Sequence, residues 1–310
     1  GNGTTGVSGV VSASNSLVGS TAFDNVGNDG VVALPSGNYL VRSTNWKNGS
    51  APLAGAVTWV NGANGHPRNE ISPGAVVSAN NSLVGSESFD QVGGSGVTVL
   101  SSGNYVVNSP GWDGGGRDYG AVTFGSGTTG VSGIVSAANS LVGTQDDGDG
   151  MGESVGGGGV MELMNGNYVV LSPNWFNGAA LSAGAVTYGS GTTGISGAVS
   201  AANSLVGTQA GDRLGSGGAT AFANGSVAVR SPDAADGVLT SAGLAHVLVA
   251  PSGSVSAFQL VNPHPGAGNL FPAAVTVLSN NNVVAVDRYN DFAATDAGAA
   301  FLFTGTTGAL

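Results

Sequence analysis

Four acidic residues in one Gly-rich stretch are the densest set of groups that could hold a metal ion: Asp146, Asp147, Asp149 and Glu153. Carboxylate and backbone oxygens suit a hard cation, so one interpretation of this stretch is a calcium site. The other is a solvated insertion, because the other repeat units lack this cluster. We favour the insertion and expect no resident cofactor.

Three tryptophans recur at one position, each shortly after a Ser-Pro or Ser-Thr pair: Trp46, Trp112 and Trp175. Exposed aromatic rings on a repeated loop could stack on sugars, which would make these three the binding residues. The alternative is packing, because an indole buries a large apolar area. No Asp, Asn or Arg cluster accompanies each Trp to hold sugar hydroxyls, so packing is the favoured interpretation.

The residue types needed for catalysis show no spacing that predicts an enzyme. The histidines His66, His246 and His264 share no spacing with each other or with a carboxylate. The enzymatic alternative is a five-bladed carbohydrate-active enzyme, in which separated carboxylates converge on a central cavity. Of the acids, only Glu162 and Asp287 fall clearly on predicted strands. We therefore expect a protein that is not an enzyme.

The charge of the chain argues against two classes of partner. The formal net charge is −11 and the seven basic residues are scattered singly. Nucleic acid and anionic membranes both attract clustered Lys and Arg, so neither is expected to bind. No apolar run is long enough to span a bilayer, so membrane insertion is not expected either. The chain has no Cys, which excludes disulfides and thiolate sites.

The elements that must position these residues come from an internal repeat of about sixty residues. Ser-Leu-Val-Gly begins at Ser16, Ser82, Ser140 and Ser204; Gly-Asn-Tyr begins at Gly37, Gly103 and Gly166; Gly-Ala-Val-Thr and an aromatic residue begin at Gly55, Gly120 and Gly184. The fixed order of these phrases predicts one domain, 1–310, of five repeat units: 1–60, 61–124, 125–188, 189–249 and 250–310.

Each unit contains four strand-like stretches, which in the second are 96–100, 104–107, 120–124 and 131–142. Short alternating strands joined by Gly-rich turns predict an all-β fold, and four antiparallel strands per unit have the size of a propeller blade. The phrase Gly-Thr-Thr-Gly stands near both chain ends. We therefore predict one five-bladed β-propeller, closed by Val10, Val11 and Leu17 on a strand paired with 298–303. Nothing in the sequence explains Asp287-Arg288-Tyr289, which replaces the Ser-Pro phrase in the fifth unit.

The ordered phrases at 89–93, 104–110 and 120–124 are similar to the FG-GAP repeats of integrin-α-like β-propellers. The chain also resembles the Gly- and Val-rich repeats of large bacterial filamentous-haemagglutinin-type surface proteins. Calcium-binding FG-GAP blades carry an acidic hairpin loop, whereas the turns here are 35–37, 101–103 and 164–166, without carboxylates. The resemblance therefore implies a propeller without those calcium sites.

Together these features predict a secreted, extracellular or cell-surface repeat module without catalytic activity. Its expected roles are adhesion, surface architecture or recognition of a glycan or protein. A structural subunit of an extracellular filament or sheath, built from copies of itself, is the nearest alternative. The carbohydrate-active enzyme is the alternative from another class.

Overall fold

The structure is a computed structural model that describes residue 6 and residues 8–235, 239–249 and 256–310. Within these ranges the chain forms strands and turns and no helix, which confirms the all-β prediction. No helix there is long and apolar enough to cross a membrane. The chain divides into two compact units, Gly1–Ser154 with Gly191–Ala198 and Val155–Ser190 with Val199–Leu310. The predicted boundaries of the five repeat units stay a prediction.

The first compact unit contains three sheets. Its strands are β1 Leu17–Val18, β2 Val31–Ala33, β3 Tyr39–Ser43, β4 Ala56–Val60, β5 Ala75–Val76, β6 Ser82–Val84, β7 Val97–Val99, β8 Tyr105–Ser109, β9 Ala121–Gly125, β10 Gly133–Ile134, β11 Ser140–Val142 and β15 Gly197–Ala198. The sheets have the orders β1-β5, β10-β6-β4-β3-β2 and β15-β11-β9-β8-β7.

The second compact unit also contains three sheets. Its strands are β12 Gly159–Glu162, β13 Tyr168–Ser172, β14 Ala185–Gly189, β16 Ser204–Val206, β17 Ala219–Ala221, β18 Val227–Ser231, β19 Leu244–Val249, β20 Ser256–Leu260, β21 Ala274–Val277, β22 Val283–Asp287 and β23 Ala299–Phe303. The sheets have the orders β12-β13-β14-β16, β17-β18-β19-β20 and β21-β22-β23.

The hairpin of β7 and β8 shows how the local sequence builds a repeat. Leu100 N–H donates to Asn104 O at 2.8 Å, and the turn closes with Gly103 N–H on Leu100 O at 2.8 Å. Gly103 has φ +83°, a backbone conformation that glycine adopts without steric cost. Every residue of β8 is buried, so both faces of this central strand are covered, which its apolar sequence requires.

Two of the repeated phrases are linked by a buried hydrogen bond. The hydroxyl groups of Thr123 in β9 and Ser140 in β11 lie 2.6 Å apart, and both side chains are buried. Equivalent pairs join β4 to β6 and β14 to β16, and they are Thr58 with Ser82 and Thr187 with Ser204. A buried hydroxyl without a partner is costly. The Thr of one phrase and the Ser of the other therefore recur together.

The predicted fourth strand of each repeat is two short strands that belong to different sheets. In the stretch 131–142, β10 pairs in parallel with β6 of the preceding sheet, whereas β11 pairs antiparallel with β9 of its own sheet. Asn139 shapes the turn between them, because its side chain accepts Ser136 N–H and donates to Ile134 O. β15 joins β11, and β5 joins β1, in the same parallel manner.

The prediction of a single five-bladed propeller closed into a ring is wrong. The described residues form six separate sheets of two to five strands, and none of them is closed. Leu17 lies in β1, which pairs with β5, and Val10 and Val11 are exposed and outside the strands. Among the described strands, β23 pairs with β22 alone. The physical reason is that β10 and β15 each belong to one repeat and complete the sheet of the repeat before it. Strand pairing therefore joins repeats that are neighbours in the sequence.

The Gly-Thr-Thr-Gly phrase packs against the aromatic residue that ends the third strand of the preceding repeat. A Cβ atom at Gly130 would lie 2.5 Å from Trp59 Cβ, and one at Gly194 would lie 2.4 Å from Phe124 Cβ. Gly127 O, in the same phrase, accepts the Trp59 indole N–H at 3.2 Å. These contacts place the phrase on the sheet that precedes it.

We predict that Gly130→Ala lowers the free energy of unfolding by about 2–4 kcal/mol, because it adds steric overlap with Trp59 to an unfavourable backbone conformation. Gly103→Ala is the matched control, since Gly103 also has positive φ but has no atom within 4 Å of an added Cβ. Its expected cost is about 1–2 kcal/mol. Equal losses for both variants in urea denaturation would contradict the proposed contact.

Candidate functional site

A turn with the phrase acid-x-apolar-Gly precedes the first strand of four sheets. The acid is buried in each copy, and the four residues are Asp24, Asp90, Glu153 and Asp212. We call these side chains the corner carboxylates. Because a buried carboxylate is costly unless it is hydrogen-bonded, its partners indicate its role.

Asp90 illustrates the arrangement of a corner carboxylate. Its Oδ2 accepts Ser86 N–H at 2.7 Å and Glu87 N–H at 2.9 Å, and its Oδ1 accepts Asp113 N–H at 3.0 Å. Ser86 and Glu87 belong to the turn before β7, whereas Asp113 follows β8 and Trp112. One carboxylate therefore joins two loops by charge-assisted hydrogen bonds.

Asp24 and Asp212 make corresponding contacts to two loops, and Glu153 accepts the corresponding N–H groups of its own turn. The backbone N–H donors are Ser20, Thr21 and Lys47 for Asp24, Thr208, Gln209 and Ala235 for Asp212, and Thr144 and Gln145 for Glu153. The third turn runs ten positions from Gly143 to Glu153, against five from Gly85 to Asp90. The longer Glu side chain occupies the corner in this longer turn.

The corner carboxyl group has a lowered pKa in the first repeat, at Asp24, and a raised pKa in the second, at Asp90. Burial acts to raise the pKa of Asp24, but hydrogen bonds from Thr21, Ser20 and Lys47 outweigh it and lower that pKa. Burial raises the pKa of Asp90 despite its three backbone donors. The Thr21 hydroxyl donates to Asp24 at 2.7 Å, and the second copy has Glu87 at that position. A side-chain donor thus accompanies the lower pKa.

The structure buries all three repeated tryptophans. Trp46 is 4% exposed and Trp112 and Trp175 are each 6% exposed. Trp46 and Trp112 directly precede Lys47 and Asp113, whose N–H groups donate to the corner carboxylates Asp24 and Asp90. Trp112 packs in the main core of the first compact unit, and Trp46 packs with Val77 and Val84. Packing explains these positions without a ligand. A binding role for the three residues stays a prediction.

The exposed aromatic residues of the corner are phenylalanines that directly precede two of the carboxylates. Phe23 is 79% exposed with φ +69°, and Phe89 is 57% exposed with φ +73°. The equivalent residues of the fourth and fifth repeats are Gly211 and Gly268, both with positive φ, whereas Gly152 of the third repeat has no positive φ. A bulky residue in this left-handed region is a conformational outlier. Neither burial nor backbone preference accounts for a Phe at these two positions.

Phe89 borders a groove of about 260 Å³ whose other lining residues are Ser88, Asp113, Arg117 and Asp118. We call this set the Phe89 groove. Asp113 Oδ1 accepts Asp118 N–H at 2.9 Å, so one acid fixes the backbone beside the other. Burial and the charge of Asp113 raise the pKa of Asp118, and Arg117 acts against them. The groove combines one apolar ring with two acceptors and one donor.

The acidic stretch from the third turn does not form one site. Glu153 lies buried at its corner, whereas Asp146 and Asp149 line a shallow hollow of about 320 Å³ with Arg117. Asp147 Oδ1 accepts the N–H groups of Asp149 and Met151, which lowers its pKa through backbone hydrogen bonds. Among the described residues, no three His, Asp or Glu side chains are grouped to hold a metal ion. Calcium binding by this stretch stays a prediction.

Two signals in the sequence point to the corner carboxylates and to Phe89, which the sequence analysis did not predict as site residues. The phrase acid-x-Val-Gly, or acid-x-Leu-Gly, recurs at 24–27, 90–93, 153–156 and 212–215. A buried acid at this register is predictable from the fixed spacing to an apolar residue and glycine. Glycine at the Phe89 position of the fourth and fifth repeats indicates positive φ at this position.

Comparison with known protein families identifies the repeat. A family model described as Repeat of unknown function (DUF5650) matches residues 1–28, 33–94, 99–153 and 162–216. No curated protein matches the chain. The resemblance to FG-GAP and bacterial filamentous-haemagglutinin-type repeats stays a prediction.

We predict that Trp112→Ala lowers the free energy of unfolding by about 3–5 kcal/mol, because it leaves a large cavity in the core. Chemical denaturation measures this loss, and Trp112→Phe should recover part of it. Because the indoles are buried, iodide should quench little of the native Trp fluorescence. Strong quenching with normal stability of Trp112→Ala would contradict the packing role.

The pKa shifts at the corners predict opposite pH effects for two variants. Asp24 has a lowered pKa, so its stabilisation is present near neutral pH and is lost as pH falls through the folded-state pKa. The stability gap between the protein and Asp24→Asn should shrink between about pH 5 and about pH 2. Asp90 has a raised pKa, so the free energy of unfolding of the parent should increase relative to that of Asp90→Asn as pH falls. Parallel pH profiles of both variants, measured by urea denaturation, would contradict these shifts.

Proposed function

We propose a function for this chain, which belongs to the repeat family described as Repeat of unknown function (DUF5650). It is a non-catalytic recognition module that binds neutral glycan chains at the Phe89 groove. The observation that carries the proposal is the exposed Phe89 ring in a left-handed backbone conformation. An outlier that the fold does not need supports a functional role for the residue.

The corner holds the Phe89 ring in a fixed position. Its backbone N–H donates to Pro52 O at 3.0 Å, and the next residue is the corner carboxylate Asp90. Gln91 N–H donates to Leu53 O at 3.0 Å on the other side. Backbone bonds therefore fix the chain on both sides of the ring, so little backbone ordering is needed when a ligand binds.

The lining of the groove suits the two kinds of surface on a sugar ring. The C–H face of a sugar can pack on the Phe89 ring, whose face carries partial negative charge. The Asp113 and Asp118 carboxylates can accept sugar hydroxyls, and the Arg117 guanidinium can donate to a ring or hydroxyl oxygen. A small number of placed polar groups beside an apolar surface is typical of ligand sites.

The charge around the groove favours neutral over acidic glycans. Asp113, Asp118 and the nearby Asp146 and Asp149 outnumber Arg117, and the whole chain carries a formal charge of −11. A sulfated or uronic-acid chain would be repelled, and the repulsion would weaken with salt. Neutral hexose chains meet no such barrier.

Phe23 offers a second contact for the same ligand chain. It occupies the equivalent position one repeat earlier, and the Lys47 Nζ atom lies 5.8 Å from the centre of its ring. Two weak contacts on one polymer give a higher apparent affinity than either alone. We place this activity outside the cell, at surfaces that display such polymers, where it would serve adhesion.

The test is binding of neutral oligosaccharides by Phe89→Gly, compared with the parent protein on a glycan array and by calorimetry. We expect binding to fall about 5- to 30-fold, since an aromatic contact contributes on the order of 1–2 kcal/mol. The melting temperature should stay the same or rise, because glycine relieves the left-handed strain.

Phe89→Tyr is the matched control, since it keeps the ring and should keep binding. The bound oligosaccharide should be recovered with its chain length unchanged, as expected for recognition without hydrolysis. Unchanged binding by Phe89→Gly, preferred binding of acidic glycans, or cleavage of the ligand would contradict the proposal.

A further inference from the structure

The second repeat lacks a side-chain hydrogen bond that the first and third repeats make at one equivalent place. In the first repeat, Asn48 donates its side-chain N–H to Gly85 O at 2.8 Å. In the third repeat, Asn177 donates in the same way to Gly207 O at 3.0 Å. Each Asn stands two positions after the repeated Trp, and each Gly ends a Ser-Leu-Val-Gly phrase. The bond therefore joins the loop that follows the Trp to the end of that phrase.

Glycine replaces this Asn in the second repeat, so the equivalent bond cannot form. Gly114 stands two positions after Trp112, and the loop from Trp112 to Gly120 is one residue shorter than its two counterparts. The equivalent carbonyl oxygen, Gly143 O, accepts no hydrogen bond from the described residues. Backbone polar groups of buried residues nearly always have a partner, and Gly143 is buried. Its carbonyl group is therefore open to a donor from solvent or from a ligand.

A pocket of about 540 Å³ lies where the Asn side chain is missing. Gly114 and Gly143 both line it, and its apolar wall includes Trp112, Tyr119 and Val142. Sites for small ligands typically have about 300–1,000 Å³ and a few polar groups beside apolar side chains. The pocket has the size and lining of such a site, whereas the Phe89 groove alone has about 260 Å³.

Tyr119 also distinguishes the second repeat from its neighbours. The equivalent residues of the first and third repeats are Ala54 and Ala183, each 0% exposed, whereas Tyr119 is partly exposed and lines the pocket. A Cβ atom at Gly116 would lie 2.4 Å from the Tyr119 ring, so glycine there leaves room for the ring. The second repeat has thus gained an aromatic wall in the pocket where it has lost the Asn side chain.

A group that enters this pocket needs an N–H donor in place of the Asn carboxamide and an apolar part for the wall. An acetamido group has both. Its N–H can donate to Gly143 O, as the Asn side chains do to the equivalent carbonyls, and its methyl group can pack on Ala137 and Val142. Its carbonyl oxygen can accept from the hydroxyl groups of Ser86 or Thr144, which also line the pocket.

The pocket adjoins the Phe89 groove, because the same two loops, 86–89 and 112–119, line both. Both lie in the first compact unit. A glycan bound at Phe89 can therefore extend into the pocket. We propose that the pocket receives the acetamido group of an N-acetylhexosamine residue, so that the recognised glycan is neutral and N-acetylated. This assignment rests on the proposed function and specifies its ligand.

The experiment measures calorimetric binding of two β-1,4-linked tetrasaccharides, one of N-acetylglucosamine and one of glucose, which differ in the group at C2. The parent protein should bind the N-acetylated tetramer about 10- to 40-fold more tightly, since the acetamido group adds one hydrogen bond and one buried methyl group. The glucose tetramer reports the contacts at the Phe89 groove without the acetamido group.

Two variants fill the pocket without changing the residues of the Phe89 groove. Gly114→Asn restores the residue of the first and third repeats, and Asn tolerates the φ of +59° at this position. Because an added Cβ there would contact the Trp112 ring, Ala137→Leu is a second variant, which fills the pocket from an exposed residue. Each should remove the preference for the N-acetylated tetramer and keep the affinity for the glucose tetramer.

Ala201→Leu is the matched control and should keep the preference, since Ala201 is equivalent to Ala137 in the repeat where Asn177 fills the site. Equal affinity of the parent for both tetramers, with binding still reduced by Phe89→Gly, would overturn the assignment and leave the proposed function standing. An undiminished preference in both pocket variants would overturn it too. If neither tetramer binds, the assignment is wrong, and the glycan array decides the proposed function.

Discussion

The fold depends on one buried carboxylate per corner, which joins two loops where no strand pairing can do so. Asp90 connects the turn before β7 to the loop after β8, by accepting two consecutive N–H groups from one and a single N–H from the other. Backbone donors in a buried loop need acceptors, and a carboxylate oxygen can accept several. The same solution recurs at Asp24 and Asp212, and Glu153 accepts two consecutive N–H groups of its own longer turn.

The corner also determines which aromatic residue is available to a ligand. Trp112 lies on the core side, whereas Phe89 precedes the acid in a conformation that directs its ring to solvent. A ring on a corner fixed by hydrogen bonds is preorganised for binding. In the fifth repeat Asn stands at the positions of both the acid and the Trp, and the buried carboxyl group is that of Asp287.

The sequence predicted the local elements well because their signals are local. The stretch 96–100 alternates apolar and small polar residues, and a Gly-containing turn separates it from 104–107. These two stretches correspond to β7 and β8. Ring closure was predicted because the phrase Gly-Thr-Thr-Gly stands near both chain ends. The pairs that join neighbouring repeats, such as β6 with β10, span only two residues per strand and leave no periodic pattern in the sequence. Burial of Trp112 and exposure of Phe89 depend on tertiary contacts, so composition could not rank one above the other as a site.

Fluorine NMR on protein containing 4-fluorophenylalanine tests most directly whether the corner rings receive the ligand. Adding a neutral oligosaccharide should shift the resonances of Phe89 and Phe23, each identified by its loss in the corresponding Gly variant. The resonances of Phe222 and Phe271, which are fully buried, should stay in place. If the Phe89 resonance does not move with any neutral oligosaccharide, or only buried rings respond, the ring is not a binding surface and the account is wrong.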